Sequence, residues 1–420
     1  MTRERITETC EPTLARTMRQ RSMNGSETTA DVVVIGAGAV GCACAYFLAG
    51  AGMSVLMLDQ EGIASGASTH ATGSFSLLAS DFKTEPHLRL GIESYRLTRD
   101  MVPALEDESG VKVLYQRRPS LRLALDAVEE DLIRSSLEWQ RELLPAWWID
   151  GNAARRLEPR LTAEVRGAAY EDESAQLDSA QFTRALAAAA EQRGAQILLR
   201  QVSGLVKDGD RVIGVRHTRG EISANAVVLA MGPWAAAASA WMNFEVPVRP
   251  LKGERLLLQF DGPPLSVLIN SPKRGHMISR LDGFLSVGST AGRDFDDQEV
   301  YLRQGFDVRP TTAALEELIQ RAVEVLPDVV NASVAQHLAG VRPLTPDRQP
   351  LIGPVPGYEG VYLATGHGTK GIHLAVVTGR IIADLLTRGS TDLSVPVQAF
   401  TPARFMTAVT ADSGPHATDD

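Results

Sequence analysis

Apolar and polar residues alternate along the chain in short blocks, and the first block is the clearest. Residues 32–35 are Val-Val-Val-Ile, a continuous apolar run typical of a strand that is buried on both faces. The segment 36–41, Gly-Ala-Gly-Ala-Val-Gly, follows directly, and 42–48 predicts a helix. Residues 54–58 predict a second strand, which ends at Asp59. The pattern therefore predicts a β-α-β unit with a Gly-x-Gly-x-x-Gly turn after its first strand.

Each glycine of this turn has its own physical role. Gly36 permits a tight turn, Gly38 lets a pyrophosphate approach the backbone, and Gly41 lets the helix pack closely on the sheet. The helix N-terminus presents free N–H groups and a partial positive charge to the phosphates. Asp59 follows Gly41 by eighteen positions and is placed to accept hydrogen bonds from the ribose of an adenosine. The unit predicts dinucleotide binding without distinguishing FAD from NAD.

The rest of the chain mixes helical and strand patterns. Further helices are predicted at 86–108, 128–144, 180–193 (with Ser179 as N-cap), 312–326 and 372–386. Strands are predicted within 111–125 and at 196–199, 202–207, 211–217, 227–230, 255–260, 275–279, 284–288 and 361–364. The segment 62–73 is rich in small polar residues, which favours a loop along a ligand, with a solvated linker as the alternative.

Composition narrows the class of protein. The 420 residues suffice for two domains, and 44% hydrophobic and 22% charged residues are typical of soluble globular proteins. A net charge of −9 argues against nucleic-acid binding. The three cysteines form no evident disulfide framework, which favours a reducing, cytoplasmic location, and no apolar run approaches the roughly 18 residues of a membrane span. Residues 1–30 are expected to be a disordered leader or an overlong start, and 405–420 a flexible tail; acidic residues weaken a transit-peptide interpretation.

Several separated motifs agree with one family. They are the glycine turn with Asp59, Gly66-Ala67-Ser68, Leu229 to Trp234, Gly340 to Asp347, and Gly366-His367-Gly368-x-x-Gly371-Ile372. Together they resemble the FAD-dependent D-amino-acid oxidase family, which includes glycine oxidase, sarcosine oxidase, D-amino-acid dehydrogenase and dimethylglycine dehydrogenase. The resemblance covers roughly residues 31–395 and does not fix a member.

The resemblance implies an α/β fold (α+β overall) in which an antiparallel-sheet substrate domain is inserted into a Rossmann-like FAD-binding domain. The FAD-binding domain is expected at 31–110, 160–240 and 335–395, and the substrate domain at 111–159 and 241–334. Members of the family remove a hydride from the carbon beside an amine, and the resulting imine hydrolyses in water. The expected substrate is therefore a small amino acid or amine.

The glycine unit and the resemblance together place FAD against a defined set of residues. In the N-terminal half these are Gly36, Gly38, Ala39, Val40, Gly41, Asp59, Gln60, Gly66, Ala67, Ser68, His70, Val202, Ala230, Gly232 and Trp234. In the C-terminal half they are Arg342, Gly366, His367, Gly368, Thr369, Lys370, Gly371 and Ile372. No metal site is expected.

Three residues are candidates for catalysis, each with a plainer alternative. Arg342 matches an arginine that clamps the substrate carboxylate in the family, although an ordinary ion pair is the alternative. His276 stands where glycine oxidase-like sequences often have a tyrosine facing the substrate, but it could simply be packed. Lys370, beside a helix that starts at Gly371, adds positive charge near the flavin or is a solvated loop residue.

Two further histidines have open roles. His70 lies in a segment similar to the dimethylglycine dehydrogenase pattern, in which a histidine is bonded covalently to the flavin. A non-covalent contact and no role are its alternatives. His367 is expected to be a loop residue near the flavin rather than a base.

Two departures from the family affect the choice of electron acceptor. Monomeric sarcosine oxidase has a flavin-linking cysteine where this chain has Gly340, and its oxygen-activating lysine aligns with Ser286. The leading hypothesis is an FAD-dependent oxidoreductase of amino acids or N-alkyl amino acids. The alternatives are a subunit of a multi-component amine, opine or proline dehydrogenase that passes electrons to a partner, and a non-catalytic flavin-binding protein. An NAD-only enzyme explains neither the C-terminal glycine turn nor residues 66–68. A homo-oligomer stays open.

Overall fold

The computed structural model describes residues 29–78, 82–291 and 305–406. The predicted leader and tail lie outside the described residues, except for 29–30 and 405–406. The strands are, in chain order, β1 (Thr29–Ile35), β2 (Val55–Asp59), β3 (Gln116–Arg117), β4 (Ser120–Ala124), β5 (Ala146–Asp150), β6 (Gly167–Glu171), β7 (Ala175–Gln176), β8 (Gln196–Leu199), β9 (Val202–Asp208), β10 (Arg211–His217), β11 (Gly220–Leu229), β12 (Arg249–Gln259), β13 (Leu268–Ser271), β14 (Gly275–Ser279), β15 (Leu285–Gly288), β16 (Ser333–Leu344), β17 (Leu351–Pro354) and β18 (Val361–Thr365).

Helices connect these strands and cover the first sheet. The α-helices are α1 (Ala39–Gly50), α2 (Ala67–His70), α3 (Glu85–Ser109), α4 (Ala127–Gln140), α5 (Gly151–Leu157), α6 (Ser179–Gln192), α7 (Thr312–Val325) and α8 (Gly371–Arg388). Short 3-10 helices lie at Gly232–Trp241, Pro327–Asn331, Gly368–Lys370, Val397–Phe400 and Pro402–Phe405.

The first sheet carries the predicted β-α-β unit at its centre. Its strands run in the order β17-β18-β11-β1-β2-β8, and β10 and β9 extend it from β11. β1 pairs in parallel with both β11 and β2, and β11 pairs in parallel with β18. Residues 32–34 are fully buried because helices cover this part of the sheet. The carboxyl ends of β1, β2, β11 and β18 therefore meet at one edge, where ligands bind in open α/β sheets.

The second sheet is built from later segments and is almost wholly antiparallel. Its order is β16-β12-β15-β14-β13-β4-β6-β5, and only β13 and β4 pair in parallel. Apolar side chains of β12 and β15 pack against α7 in a separate core. The predicted mixed fold, with a parallel Rossmann-like sheet and an antiparallel sheet, is confirmed. The domain limits stay a prediction; β6, at Gly167–Glu171, pairs within the second sheet.

Two of the local details that differ from the sequence expectation lie at the start of α6 and within residues 62–73. The N-cap of α6 is Asp178, whose carboxylate accepts from the N–H of Gln181, while the Ser179 hydroxyl donates to the carbonyl of Ala71 at 2.8 Å. The segment expected as an irregular loop at 62–73 contains the single turn α2. Both differences arise from contacts between segments that are distant in the sequence.

Candidate functional site

A cavity of about 440 Å³ extends from the carboxyl ends of the parallel strands to the face of the second sheet. The candidate residues were drawn from segments far apart in the sequence, and all but two of them line this cavity. The exceptions are Gly41 and Gly366, which are packed against neighbouring backbone and side chains instead. The cavity is thus one continuous site shared by both sheets.

The glycine turn leaves no room for side chains at two of its positions. Gly36 has φ +110°, and a Cβ there would lie 2.3 Å from the carbonyl oxygen of Ala230. A Cβ at Gly41 would lie 1.9 Å from the carbonyl oxygen of Gly36, so this glycine lets α1 approach the turn. Gly38 instead lines the cavity, and the N–H of Ala39 donates to the Ser68 hydroxyl at 3.0 Å. The backbone of the turn is therefore open to a ligand at Gly38.

The Asp59 carboxylate is held in place by backbone N–H groups. Its Oδ2 accepts from Ala37 at 2.8 Å, and its Oδ1 accepts from Glu61 and Gly62, each at 2.8 Å. These bonds fix the carboxylate where β2 ends beside the glycine turn. Because each carboxylate oxygen has two acceptor sites, Asp59 can still accept from a ribose hydroxyl.

Aromatic and small residues form the adjoining wall. Trp234 lies over Gly66, where a Cβ would be 3.2 Å from Cζ3 of the indole, and it stacks on Phe306 with ring centroids 5.7 Å apart. The carbonyl of Gly232 accepts from the Thr365 hydroxyl at 3.0 Å, which joins this wall to β18. The remaining candidates on this side of the cavity are Val40, Gln60, Ala67, Val202 and Ala230.

The C-terminal glycine turn brings the start of α8 to the cavity. His367 is buried, its Nε2 lies 2.9 Å from the Thr378 hydroxyl, and burial lowers its pKa to about 3. Gly366, with φ +75°, faces Thr345. Lys370 is only 8% exposed, and its Nζ lies 4.9 Å from the centroid of the Phe82 ring. The other candidates here, Gly368, Thr369, Gly371 and Ile372, all line the cavity.

Three candidate side chains each lie over a glycine of the second sheet. A Cβ at Gly253 would be 2.2 Å from Nη2 of Arg342, and one at Gly340 would be 2.9 Å from Cβ of His70. A Cβ at Gly288 would be 2.8 Å from Cε1 of His276. Nη1 of Arg342 also donates to the carbonyl of Ala291 at 3.0 Å. Glycines in the sheet thus provide the space that these polar side chains occupy.

The two histidines in this region are held neutral. Burial, together with the positive charges of Arg255, Arg342 and Lys370, lowers the pKa of His276 to about 3. Burial and then the charge of Arg255 lower the pKa of His70. His276 is therefore a neutral hydrogen-bonding group and a weak base at physiological pH. Covalent attachment of a flavin at His70 stays a prediction.

Sequence reasoning missed Arg255 and Asn270, which also line the cavity. Arg255 is the first residue of the predicted strand 255–260 and directly precedes three leucines, which is the one signal in the sequence. Its partner on β15 is Gly288, whose partner on β14 is His276. The Arg255 and His276 side chains therefore flank the same glycine.

A third residue that sequence reasoning missed, Glu171, is fully buried. Its Oε1 accepts from the N–H groups of Leu77 at 2.7 Å and Leu78 at 3.2 Å, and from the Ser76 hydroxyl at 2.9 Å. Burial raises the pKa of Glu171 to about 7, although these hydrogen bonds and the charge of Lys370 act in the opposite direction. Glu171 thus holds residues 76–78 in place, and the free energy that its burial costs depends on pH.

Glu171→Gln is expected to flatten the pH dependence of stability. The pKa rises from 4.5 to about 7 on folding, so the folded protein binds the proton more tightly, and the free energy of unfolding falls as pH rises through that window. Because one pKa unit corresponds to ~1.4 kcal/mol, we expect the wild type to lose about 3 kcal/mol more than the variant between these values. Urea unfolding at a series of pH values measures this difference.

Glu158→Gln is the matched control. Glu158 is also buried, but Arg160 pairs with it at 2.8 Å and hydrogen bonds to it lower its pKa despite burial. This variant should therefore be destabilised equally at pH 5 and above. Parallel stability curves for the wild type and Glu171→Gln would show that Glu171 does not titrate in this range.

Metal-ligating clusters and membrane-spanning helices are absent from the described residues. Within residues 29–78, 82–291 and 305–406, no three His, Cys, Asp or Glu side chains cluster so as to hold a metal ion. No helix in the same ranges is long and apolar enough to cross a membrane. Cys42 and Cys44 are buried, free thiols of α1.

Comparisons with known proteins agree with this geometry. Residues 31–385 match the family model described as FAD dependent oxidoreductase. Glycine oxidase from Pseudomonas aeruginosa is 32% identical over 363 residues, which are 85% of this chain and 94% of that protein. The crystal structure of glycine oxidase from Geobacillus kaustophilus has a TM-score of 0.83 at 27% identity, covering 90% of this chain and all of that one.

A third comparison concerns the fold alone. L-proline dehydrogenase from P. horikoshii has a TM-score of 0.81 at 24% identity and covers 90% of this chain and 98% of that one. Taken together, the comparisons confirm the predictions of an FAD cofactor and of an oxidoreductase. The roles assigned to individual residues stay predictions.

Proposed function

Because the chain belongs to the FAD dependent oxidoreductase family, we propose that it oxidises the C–N bond of a small amino acid or N-alkyl amino acid. The substrate would be of the glycine, sarcosine or D-amino-acid type, and the product an imine. The observation that carries this proposal is that Arg342, on the second sheet, and the start of α8, against the first, line the same cavity. The two relatives named glycine oxidase support the substrate class.

The shape of the cavity fits FAD at both ends. The backbone of Gly38 and Ala39 would receive the pyrophosphate, and Asp59 the ribose of the adenosine. His70, Gly340 and the turn before α8 would enclose the flavin ring. When bound, the flavin supplies a two-electron acceptor. The close approach of Gly36 to the carbonyl of Ala230, which leaves no room for a Cβ, is the observation that supports this fit.

Arg342 would bind the carboxylate of the substrate. A guanidinium presents two parallel N–H donors, which match a planar carboxylate. The Arg342 side chain lies flat over Gly253 and is anchored through the Ala291 carbonyl, so its orientation is fixed before a substrate enters. Such an anchor orients the carbon beside the amine.

The charges around the site favour the neutral amine, which is the form that can be oxidised. Arg255, Arg342 and Lys370 are all cations of the cavity lining, and nearby cations lower the pKa of a substrate ammonium group. His276 adds no charge because its pKa is about 3, and its Nε2 has no hydrogen-bond partner among the described residues. His276 would therefore hydrogen-bond the substrate without protonating it.

The start of α8 would stabilise negative charge on the opposite wall. The free N–H groups at Gly371 carry the positive end of the helix dipole, and Lys370 adds a full charge beside them. Both line the cavity. This arrangement favours a reaction in which negative charge develops at that wall.

The electron acceptor is also part of what we propose. The comparisons do not favour a subunit of a multi-component dehydrogenase, since the Pseudomonas aeruginosa and Geobacillus kaustophilus relatives are both glycine oxidases. We therefore propose oxygen as the acceptor, in spite of Ser286 at the position of the lysine noted in sarcosine oxidase. We also expect the protein in the cytoplasm, acting on a free small molecule.

Anaerobic titration of the purified flavoprotein tests this function. With glycine, sarcosine, proline, dimethylglycine and D-amino acids as the panel, at least one is expected to abolish the flavin absorption at about 450 nm. Rapid recovery on admitting air would identify an oxidase, and slow recovery a dehydrogenase. Flavin that stays bound and is bleached by none of the panel would contradict the proposal and favour a non-catalytic flavin-binding protein.

A further inference from the structure

Arg255 is a buried cation without a matching anion. It is 7% exposed and lines the cavity, yet within residues 29–78, 82–291 and 305–406 no carboxylate lies within ion-pair distance of its guanidinium. Nη1 donates to the neutral hydroxyl of Ser286 at 3.2 Å, and Nε has no hydrogen-bond partner in those ranges. Burying an uncompensated charge is costly, so such a group points to an anionic ligand.

The nearest acidic residues are already occupied by another arginine. Arg280 lies 2.8 Å from Asp282 and 3.6 Å from Asp178. Burial, together with the charge of Arg280, lowers the pKa of Arg255 to about 10, so Arg255 is still a cation at neutral pH. Glu254, the adjacent residue on β12, points to the other face of the sheet, where its carboxylate binds Thr311. The positive charge of Arg255 is therefore not balanced by these carboxylates, and it faces the cavity.

The position of Arg255 complements that of Arg342. The Arg342 guanidinium lies over Gly253, two residues before Arg255 on β12. Alternate residues of a strand face the same side and are about 7 Å apart. A substrate with a single carboxylate would pair with Arg342 and leave Arg255 without an anion. Two cations that line one cavity from the same face of the second sheet suit a small molecule with two carboxylates.

We propose that the preferred substrate carries a second carboxylate, which Arg255 binds while Arg342 binds the first. The second carboxylate belongs either to the side chain, as in an aminodicarboxylic acid, or to the nitrogen substituent, as in an N-carboxymethyl amino acid. The inference rests on the proposed function, because it specifies the substrate of the same site. Ser286 is the positioning residue that orients the Arg255 guanidinium.

The test compares substrate pairs that differ by one carboxylate. Iminodiacetate is paired with sarcosine, and each enantiomer of glutamate with the same enantiomer of 2-aminobutyrate. In the wild-type holoenzyme, one dicarboxylate is expected to exceed its partner in kcat/KM. Arg255→Met should lower kcat/KM for that dicarboxylate about 100-fold, mainly through KM, and for its partner by no more than about tenfold. The preferred pair shows whether the second carboxylate lies on nitrogen or on carbon.

A binding measurement separates this inference from the proposed function. Succinate and acetate cannot be oxidised here, and their binding is followed through perturbation of the flavin spectrum. Arg255→Met should weaken succinate binding about 100-fold while affecting acetate far less. Arg249→Met is the control, because Arg249 is the exposed first residue of the same strand. Flavin content and thermal midpoint verify that each variant is folded.

Each outcome decides between the explanations. Equal losses for both members of every pair would mean that Arg255 serves the cofactor or the fold, and the inference would be overturned. A wild-type enzyme that prefers monocarboxylates would overturn it as well. If no amine reduces the flavin but succinate binding still depends on Arg255, the proposed reaction fails while the dicarboxylate site stands.

Discussion

Arg342→Met should lower kcat/KM for the amino-acid substrate by about a thousandfold. Its guanidinium lines the cavity over Gly253, and truncating one partner of a buried, hydrogen-bonded charge pair costs about 4 kcal/mol. Because the lost contact binds the carboxylate in the ground state and in the transition state, most of the effect is expected in KM. Misorientation of the reacting carbon adds a smaller loss in kcat. Steady-state kinetics of the holoenzyme measure both parameters.

Two variants make this experiment specific. Arg342→Lys keeps the charge but not the two parallel donors, so it should recover only part of the loss. Arg249→Met removes an exposed arginine from β12 and should behave as the wild type. If Arg342→Met stays within tenfold of the wild type while retaining its flavin, Arg342 is an ordinary structural residue and the carboxylate is bound elsewhere.

Gly36→Ala should yield protein that does not retain FAD. A Cβ at this position would lie 2.3 Å from the carbonyl oxygen of Ala230, so the turn and the end of β11 must separate. The positive φ of +110° adds a backbone penalty of about 1 kcal/mol or more for any residue with a Cβ. Flavin content after purification, the FAD dissociation constant and the thermal midpoint all report the effect.

Comparison with Gly52→Ala separates the steric part of this effect from the backbone penalty. Gly52 also has a positive φ, of +84°, but nothing lies within 4 Å of a Cβ built there. It should cost only the backbone penalty and leave FAD binding intact. Equal FAD affinity in the two variants would show that the turn can move away from β11 without harm to the cofactor site.

The features predicted well from the sequence are those fixed by neighbouring residues. The helix predicted at 312–326 is observed at Thr312–Val325, because its apolar residues recur at the helical period. The glycine turn is similarly local, since its meaning depends on a strand and a helix that adjoin it in sequence. The N-cap of α6 shows the limit. Asp178 and Ser179 are equally good caps, and the bond from Ser179 to Ala71 decides between them.

The features that the sequence did not predict depend on register between distant strands. Arg255 belongs to the site only because β12, β14 and β15 pair so that it flanks Gly288 with His276. Its lack of a counter-charge is a property of the assembled cavity and leaves no local signal. Glu171 acquires its raised pKa from burial beside Leu77 and Leu78, more than ninety positions earlier. Gly366 matched a family motif, and in the structure it packs against Thr345.

The order of the strands in the first sheet has a consequence for biosynthesis. β1 needs β11 as its parallel neighbour, β11 needs β18, and α1 packs so closely on α8 that a Cβ at Gly379 would lie 2.6 Å from the backbone of Ala43. A nascent chain that has emerged from the ribosome only as far as the glycine turn therefore contains only the N-terminal part of the FAD site. The wall at residues 366–372 is translated more than three hundred residues after the glycine turn. A complete FAD site therefore requires both segments, so the cofactor is captured only after the C-terminal turn has been synthesised.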